Sequence, residues 1–169
     1  MRSLVVYSSR TGNTRKLAEA IAGAIGAERL APVESAPDPA EFDFIALGFW
    51  ANKGGPDELA QAYMRRVVGK AVGLFGTAGV YPDSEHGLRF MARAVNLMRD
   101  NDVRCTYHCQ GRIDPVLVAR RLQRGPDDPH GPATPEWLER VDEASKHPDK
   151  NDLAQAARVF RDALQAACP

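Results

Sequence analysis

Short apolar runs alternate with segments of helical periodicity along the first two-thirds of the chain. The runs predict strands at residues 4–8, 28–33, 42–49, 71–76 and 103–109. Between the strands, apolar positions at helical spacing predict helices at residues 14–25, 57–68 and 84–100. Strands and helices that alternate in this way predict an α/β domain, doubly wound, with a five-stranded parallel sheet covered on both faces.

The same spacing predicts which residues of each helix face the sheet. For the first helix these are Leu17, Ala18, Ile21 and Ile25, with Gly26 as the stop. For the second helix they are Leu59, Ala62, Tyr63 and Val67. For the third helix, capped by Ser84, they are Leu88, Met91, Ala92, Val95 and Met98.

The last third of the chain differs in composition, because six of the twelve prolines fall between Pro115 and Pro148. Prolines at this density predict short helices separated by fixed loops, one at 115–123 and one beginning at Thr134-Pro135. A longer helix is predicted at 151–167. We therefore expect one domain over residues 1–169, with a core at 1–112 and a helical C-terminal extension at 113–169.

Composition narrows the function classes. The 169 residues carry 22 Lys+Arg and 22 Asp+Glu, and this balance argues against a nucleic-acid binder. The first apolar run is too short for a signal peptide or a membrane span, so we expect a cytoplasmic protein. Cys105 and Cys109 fall on one predicted strand, roughly 13 Å apart, which is beyond disulfide reach.

The strongest chemical signal is Ser8-Ser9-Arg10-Thr11-Gly12-Asn13-Thr14, between the first strand and the first helix. Backbone N–H groups at a helix start attract anions, hydroxyls add donors, and Gly12 lets a ligand come close. The loop has neither the Walker A pattern nor G-x-G-x-x-G, so it favours a simple phosphate over a triphosphate or dinucleotide. The alternative is that these side chains merely cap the helix.

This loop resembles the phosphate loop of the flavodoxin family, T/S-x-T-G-x-T, with Ser9, Thr11, Gly12 and Thr14 at the four defining positions. The resemblance implies a sheet in the order 2-1-3-4-5 and FMN bound at the carboxyl ends of the strands. It also implies an electron carrier that exchanges electrons with redox partner proteins, a donor reductase and an acceptor enzyme.

Three further loops would complete a flavin site. The resemblance assigns flavin stacking to Trp50, whose alternative is packing under the next helix. Tyr81 is the candidate for the other ring face or a packed turn residue, and Gln110 matches the pyrimidine edge. Lys53 either approaches the flavin or faces solvent, and Cys109 is either a reactive thiol or a small buried hydrophobe. The expected cofactor-binding residues are Ser9, Arg10, Thr11, Gly12, Asn13, Thr14, Phe49, Trp50, Ala51, Asn52, Lys53, Thr77, Ala78, Gly79, Tyr81, Cys109, Gln110 and Gly111.

The chain also departs from the family, since Lys53, Arg89 and Arg112 lie close to loops that are often acidic in flavodoxins. Three loop sequences, G-F-W-x-x-K-G, F-G-T-x-G-x-Y-P-D-S-E-H and C-Q-G-R-I-D, together resemble a subgroup of flavodoxin-like proteins from anaerobic bacteria, some of which are similar to the small protein that accompanies bilirubin reductase. We favour an electron carrier, with bilirubin reductase as a candidate acceptor. The alternatives are an NAD(P)H-dependent flavin or quinone reductase on the same fold and an accessory binding module without flavin.

Overall fold

The computed structural model describes residues 1–129 and 131–166. The strands are β1 Ser3–Tyr7, β2 Arg29–Pro32, β3 Phe44–Asn52, β4 Gly55–Pro56, β5 Ala71–Ala78 and β6 Asp102–Gln110. The helices are α1 Asn13–Ile25, α2 Glu58–Met64, α3 Glu85–Leu97, α4 Pro115–Leu122, α5 Pro135–Ser145 and α6 Lys150–Gln165. Two 3₁₀ turns, Val33–Ser35 and Pro39–Glu41, replace a helix between β2 and β3. No helix among the described residues is long and apolar enough to cross a membrane.

Five strands form a parallel sheet in the order β2-β1-β3-β5-β6, and the short β4 pairs antiparallel with the end of β3. Apart from β4, this is the predicted order 2-1-3-4-5, so the α/β, doubly wound fold is confirmed. The parallel register brings the ends of β1, β3, β5 and β6 to one edge of the sheet. That edge is where ligands bind in open α/β sheets.

Two buried clusters lie on the two faces of the sheet. On one face, α1 and α6 pack over β1, β3 and β5, with Phe160 edge-on to Phe44 (6.5 Å) and Phe75 (5.7 Å). A Cβ at Gly73 would lie 2.4 Å from the Phe160 ring, so this glycine makes room for the aromatic side chain. α6, in the C-terminal part of the chain, thus packs into the buried core. The predicted end of this helix at Ala167 lies outside the described residues.

The other face is covered by α2 and α3, and here two predicted helix faces are wrong in part. In α2, Ala60, Tyr63, Met64 and Val67 are buried, while the predicted Leu59 and Ala62 are exposed. In α3, Phe90, Met91, Ala94 and Met98 are buried, while the predicted Leu88, Ala92 and Val95 are exposed.

Backbone contacts end α2 early and set the position of α3. After Met64 the chain makes two tight turns, and the Asn101 side chain donates to the carbonyl of Val67 (3.0 Å), which ends α2 before the predicted Val68. In α3, Gly87 lies so close to the carbonyls of Tyr81 and Pro82 that a Cβ would sit 2.5 Å from the first. That close approach aims Phe90, and not Leu88, at the core.

Candidate functional site

The loop between β1 and α1 presents free backbone donors at a helix start. Gly12 is the N-cap of α1, with φ at 90°, and no side chain caps the helix there. The Arg15 N–H donates to Ser9 Oγ (3.3 Å), but within the described residues the N–H groups of Asn13 and Thr14 have no acceptor. Free amides at a helix N-terminus attract an anion, so simple capping does not account for the loop.

Asn13 arranges the rest of this loop. Its Nδ2 donates to Thr11 Oγ1 (3.0 Å) and to the carbonyl of Arg112 (2.9 Å), which ties the loop to the end of β6. Because Thr11 Oγ1 accepts from Asn13, its own hydroxyl proton is available to a ligand. A Cβ at Gly111 would lie 2.8 Å from Asn13 Nδ2, so only glycine allows this approach.

Behind the loop, a buried carboxylate ties β1 to β3. Asp57, 2% exposed, accepts from Ser8 Oγ (2.7 Å), the Trp50 N–H (3.3 Å) and the Ala60 N–H (3.2 Å). Asp57 therefore caps α2 and orients the end of β3 at the same time. The Ser8 hydroxyl is committed to this carboxylate, so Ser8 supports the loop from behind.

A second buried contact ties α1 to β5. Thr14 Oγ1 and Thr77 Oγ1 lie 3.0 Å apart, and both residues are almost fully buried. One hydroxyl donates to the other and the second keeps a free proton, so this pair can offer one donor to a ligand.

These loops enclose a cleft of about 210 Å³ at the predicted edge of the sheet. Eleven of the predicted site residues line it: Ser9, Arg10, Thr11, Asn13, Thr14, Trp50, Ala51, Thr77, Ala78, Gly79 and Gly111. The indole of Trp50 is half-buried here, with the Arg10 guanidinium 5.7 Å from its ring centroid. Trp50 therefore faces the cleft and is not packed under α2.

Seven predicted residues do not line the cleft: Gly12, Phe49, Asn52, Lys53, Tyr81, Cys109 and Gln110. Gly12 shapes the loop, and Phe49 is fully buried against Phe90 at 5.2 Å. Asn52 and Lys53 belong to the β3–β4 hairpin, where the Lys53 carbonyl accepts from Arg93 Nη1 (3.0 Å). These residues act on the site through the backbone or lie beside it.

Cys109, Tyr81 and Gln110 lie in two other parts of the molecule. Cys109 is 2% exposed on the α6 side of the sheet, where burial raises the pKa of its thiol and keeps it protonated. It is a small buried hydrophobe and not a reactive thiol. Tyr81 and Gln110 line a neighbouring open cavity together with α5.

The opposite wall of the cleft comes from residues that the sequence did not predict: Arg112, Ile113, Asp114, Leu117 and Arg140. Asp114 Oδ2 lies 2.8 Å from Arg10 Nη2 and joins the start of α4 to the β1–α1 loop. Ile113 packs on Gly79, where a Cβ would lie 2.5 Å from its side chain. The Asp114-Pro115 pair is a helix-start signal in the sequence, but it does not indicate that α4 turns back over the cleft.

This wall is hydrogen-bonded to the turn before α6. The Arg112 N–H donates to the carbonyl of His147 (3.1 Å), and His147 Nδ1 lies 2.5 Å from Asp152 Oδ2. The hydrogen bond to Asp152 raises the pKa of His147, and Glu143 adds to the effect. Asp152 also completes the capping box of α6 with Asp149, so the wall is connected to the core helix.

Charge in the cleft favours an anionic ligand. Among the lining side chains, Arg10, Arg112 and Arg140 are cationic and Asp114 is the single carboxylate. Free amides stand at one end, and the Trp50 indole offers a flat apolar surface in the middle. The arrangement suits a ligand with a phosphate at one end and a planar ring at the other.

Comparisons with known proteins agree with the observed fold. A flavodoxin domain family matches residues 4–161. The flavodoxin-like domain-containing protein BilS of Clostridioides difficile (strain CD3) is 30% identical over 173 residues, covering 97% of each chain. Flavodoxin 1 of Bacillus cereus superposes with a TM-score of 0.61 at 14% identity, covering 98% of each chain.

A flavoprotein from Lactobacillus acidophilus NCFM, solved in complex with FMN, superposes with a TM-score of 0.51 at 14% identity. That comparison covers 70% of this chain and 97% of the other. At such identities the solved structures establish the fold, while the family match extends over nearly the whole length of this chain. The chain belongs to the flavodoxin family.

Proposed function

We propose that this protein binds FMN non-covalently in the cleft and carries electrons between a donor reductase and an acceptor enzyme. The observation that carries the proposal is the start of α1, whose free N–H groups open into a cleft that also presents Trp50. Flavodoxin-family membership supports a flavin as the ring, and the donor set supports a phosphate at its other end.

The residues that would hold FMN divide into two groups. The phosphate fits the N–H groups of Asn13 and Thr14 and the hydroxyl of Thr11. The ring fits against Trp50, with the backbone at Ala78 and Gly79 on the β5 side. The flavin would supply the redox chemistry, while the protein binds it, orients it and shields it from water.

The charge beside the cleft, on the Tyr81 side, favours a carrier over an enzyme that binds a nicotinamide dinucleotide. The cavity next to it, at Tyr81, is rimmed by Glu139, Asp142 and Glu143. Carboxylates at that position repel the phosphates of a nicotinamide dinucleotide. We therefore expect slow oxidation of NADPH by the flavin-loaded protein alone, and fast turnover once a reductase and an acceptor are added.

For the acceptor we propose a bilirubin reductase, because of the narrower resemblance in the loop sequences. The docking face would include Lys53, which is exposed at the β3–β4 hairpin beside the cleft, and Arg93, which contacts its carbonyl. Arg112, the other cation expected near the flavin, lines the cleft itself, so its replacement would disturb flavin binding as well as docking.

The test is electron transfer to the acceptor, measured with the flavin-loaded protein and a donor reductase. Lys53→Glu and Arg93→Glu should each slow the transfer while the flavin spectrum is unchanged. The matched control is Arg29→Glu on β2, at the opposite edge of the sheet, which should leave the rate as it is. Equal slowing by the control substitution would contradict the proposal that this face docks the acceptor. Fast NADPH oxidation without a reductase would make the protein an enzyme.

A further inference from the structure

Arg140 on α5 lines the cleft with a polar atom that has no partner. Its Nε is inaccessible to solvent and donates to no acceptor in the described chain. Arg121 on α4 also has a buried Nε without an acceptor. Its guanidinium, however, lies outside the cleft, 5.1 Å from the centroid of Trp137. A buried N–H without an acceptor is rare in proteins, and one that faces a ligand site indicates an acceptor on the ligand.

The position of Arg140 indicates which part of the ligand it meets. Its neighbours on α5, Leu138 and Glu139, share a cavity with Tyr81 in the loop after β5 and Gln110 at the end of β6. The phosphate end lies at the start of α1, after β1. β5 is two strands from β1, roughly 10 Å away across the sheet. A phosphate at α1 leaves the β5 side of the cleft for the ring, and α5, which carries Arg140, lies on that side.

Of the three cations in the cleft, Arg140 has the charge that is least neutralised by a carboxylate or by water. Arg10 is paired with Asp114 at 2.8 Å, and Arg112 is exposed to water. Arg140 forms no ion pair with any residue of the described chain. Its charge is therefore free to act on a ligand that becomes more negative during reaction.

We propose that Arg140 binds the carbonyl-bearing pyrimidine edge of the flavin and raises its reduction potential, an inference that rests on the FMN binding proposed above. FMN bound in the cleft would take two electrons from the donor reductase and one proton at N5 from solvent. The negative charge left by this reduction would lie on the pyrimidine edge, at N1 and the C2 carbonyl. A guanidinium beside that edge binds the reduced, anionic flavin more tightly than the oxidised flavin, so the potential rises.

The first experiment measures the two-electron potential of bound FMN, by equilibration with a reference dye, in wild type, Arg140→Gln, Arg140→Lys and Arg121→Gln. Arg140→Gln should lower the potential by about 30 mV for each tenfold loss in affinity for reduced over oxidised flavin, and we expect at least one such step. Arg140→Lys keeps the charge and should retain most of the potential. Arg121→Gln, the matched control, should leave it unchanged.

A second measurement needs only the wild type and covers the case in which Arg140→Gln does not fold. If the reduced flavin stays anionic, one proton accompanies two electrons, so the potential falls by about 30 mV per pH unit near neutrality. A slope of about 59 mV per unit, the value for two protons, would overturn the proposal.

Flavin affinity separates the remaining outcomes. Arg140→Gln should weaken FMN and riboflavin by similar factors, because both carry the ring. A loss for FMN alone would mean that Arg140 binds the phosphate and would overturn the inference. If the wild type binds FMN and the Arg140→Gln variant has the same potential and the same affinity, the inference about Arg140 is wrong and the proposed function stands. If the wild type binds no flavin, the proposed function fails.

Discussion

The two walls of the cleft are built in different ways. One wall, formed by the β1–α1 loop and the end of β3, rests on buried hydrogen bonds such as Ser8–Asp57 and Thr14–Thr77. The other wall, from Arg112 to α5, is held by contacts with partial access to water, including Arg10–Asp114, in which the arginine side chain is 47% exposed. The first wall is continuous with the core, and the second is attached to it.

This difference assigns different tasks to the two walls. Buried hydrogen bonds are strong and hold a fixed geometry, which a site for a small charged group requires. Contacts exposed to water are weak and can open and close at little cost. We infer that the first wall determines whether the ligand binds, and that the second adjusts the environment of the bound ligand and its access to water.

The largest expected effect comes from removing the core that supports the first wall. Phe160→Ala deletes a fully buried ring between Phe44 and Phe75 and should cost roughly 3–5 kcal/mol of unfolding free energy. Trp137→Ala removes the main buried side chain of α5 and should mostly loosen the second wall. Urea unfolding measures the first effect, and limited proteolysis between residues 113 and 148 measures the second. Equal global destabilisation by both substitutions would contradict the division into two walls.

A smaller effect is expected at the phosphate end. Thr11→Val removes a hydroxyl donor but keeps the side-chain shape. A hydrogen bond to a charged group contributes roughly 1.5–3 kcal/mol, so FMN affinity should fall by about one to two orders of magnitude. Riboflavin, which has no phosphate, should bind almost as well as before. Fluorescence titration with both ligands measures this, and an equal loss for both would place the phosphate elsewhere.

The attachment of the second wall should depend on pH through His147. Its pKa is raised by the hydrogen bond to Asp152, so protonated His147 stabilises the folded state. That contribution is complete below about pH 6.5, the unfolded value, and is lost as the pH rises through the folded pKa. The stability difference between wild type and His147→Gln should therefore shrink as the pH rises, as measured by urea unfolding. A difference that grows with pH would contradict this assignment.

The smallest effect is expected from the contact that joins the two walls. Asp114→Asn keeps a good N-cap for α4 and weakens the ion pair with Arg10, so stability should change by less than about 1 kcal/mol. Removing the one carboxylate that lines the cleft should tighten FMN binding several-fold, as measured by the same titration. Weaker binding would show that Asp114 holds Arg10 in a position that the phosphate needs.

The first wall could be predicted from the sequence because its residues are close along the chain. Thr11, Gly12 and Thr14 belong to one local motif between a strand and a helix, and Trp50 lies near the end of a strongly apolar strand. The parallel sheet followed from the alternation of strands and helices, while its order was implied by the resemblance to the flavodoxin family. Local patterns of this kind carry their own geometry.

The second wall could not be predicted, because long-range contacts determine it. Asp114 and Arg140 reach the cleft only through the path of the chain after β6, and no local pattern encodes that path. The prediction that Leu88 and Val95 are buried was wrong for a related reason. Helix α3 carries apolar residues on two faces, and periodicity does not show which face is buried. The contact between Gly87 and the carbonyl of Tyr81 makes that choice.

The central claim, that the cleft is a flavin phosphate site, is tested most directly by titrating the purified wild-type protein with FMN and with riboflavin. We expect quenched flavin fluorescence with both ligands, because both would stack on Trp50, and FMN binding about a hundredfold tighter because of its phosphate. Equal affinities for the two ligands, or no binding of either, would contradict it.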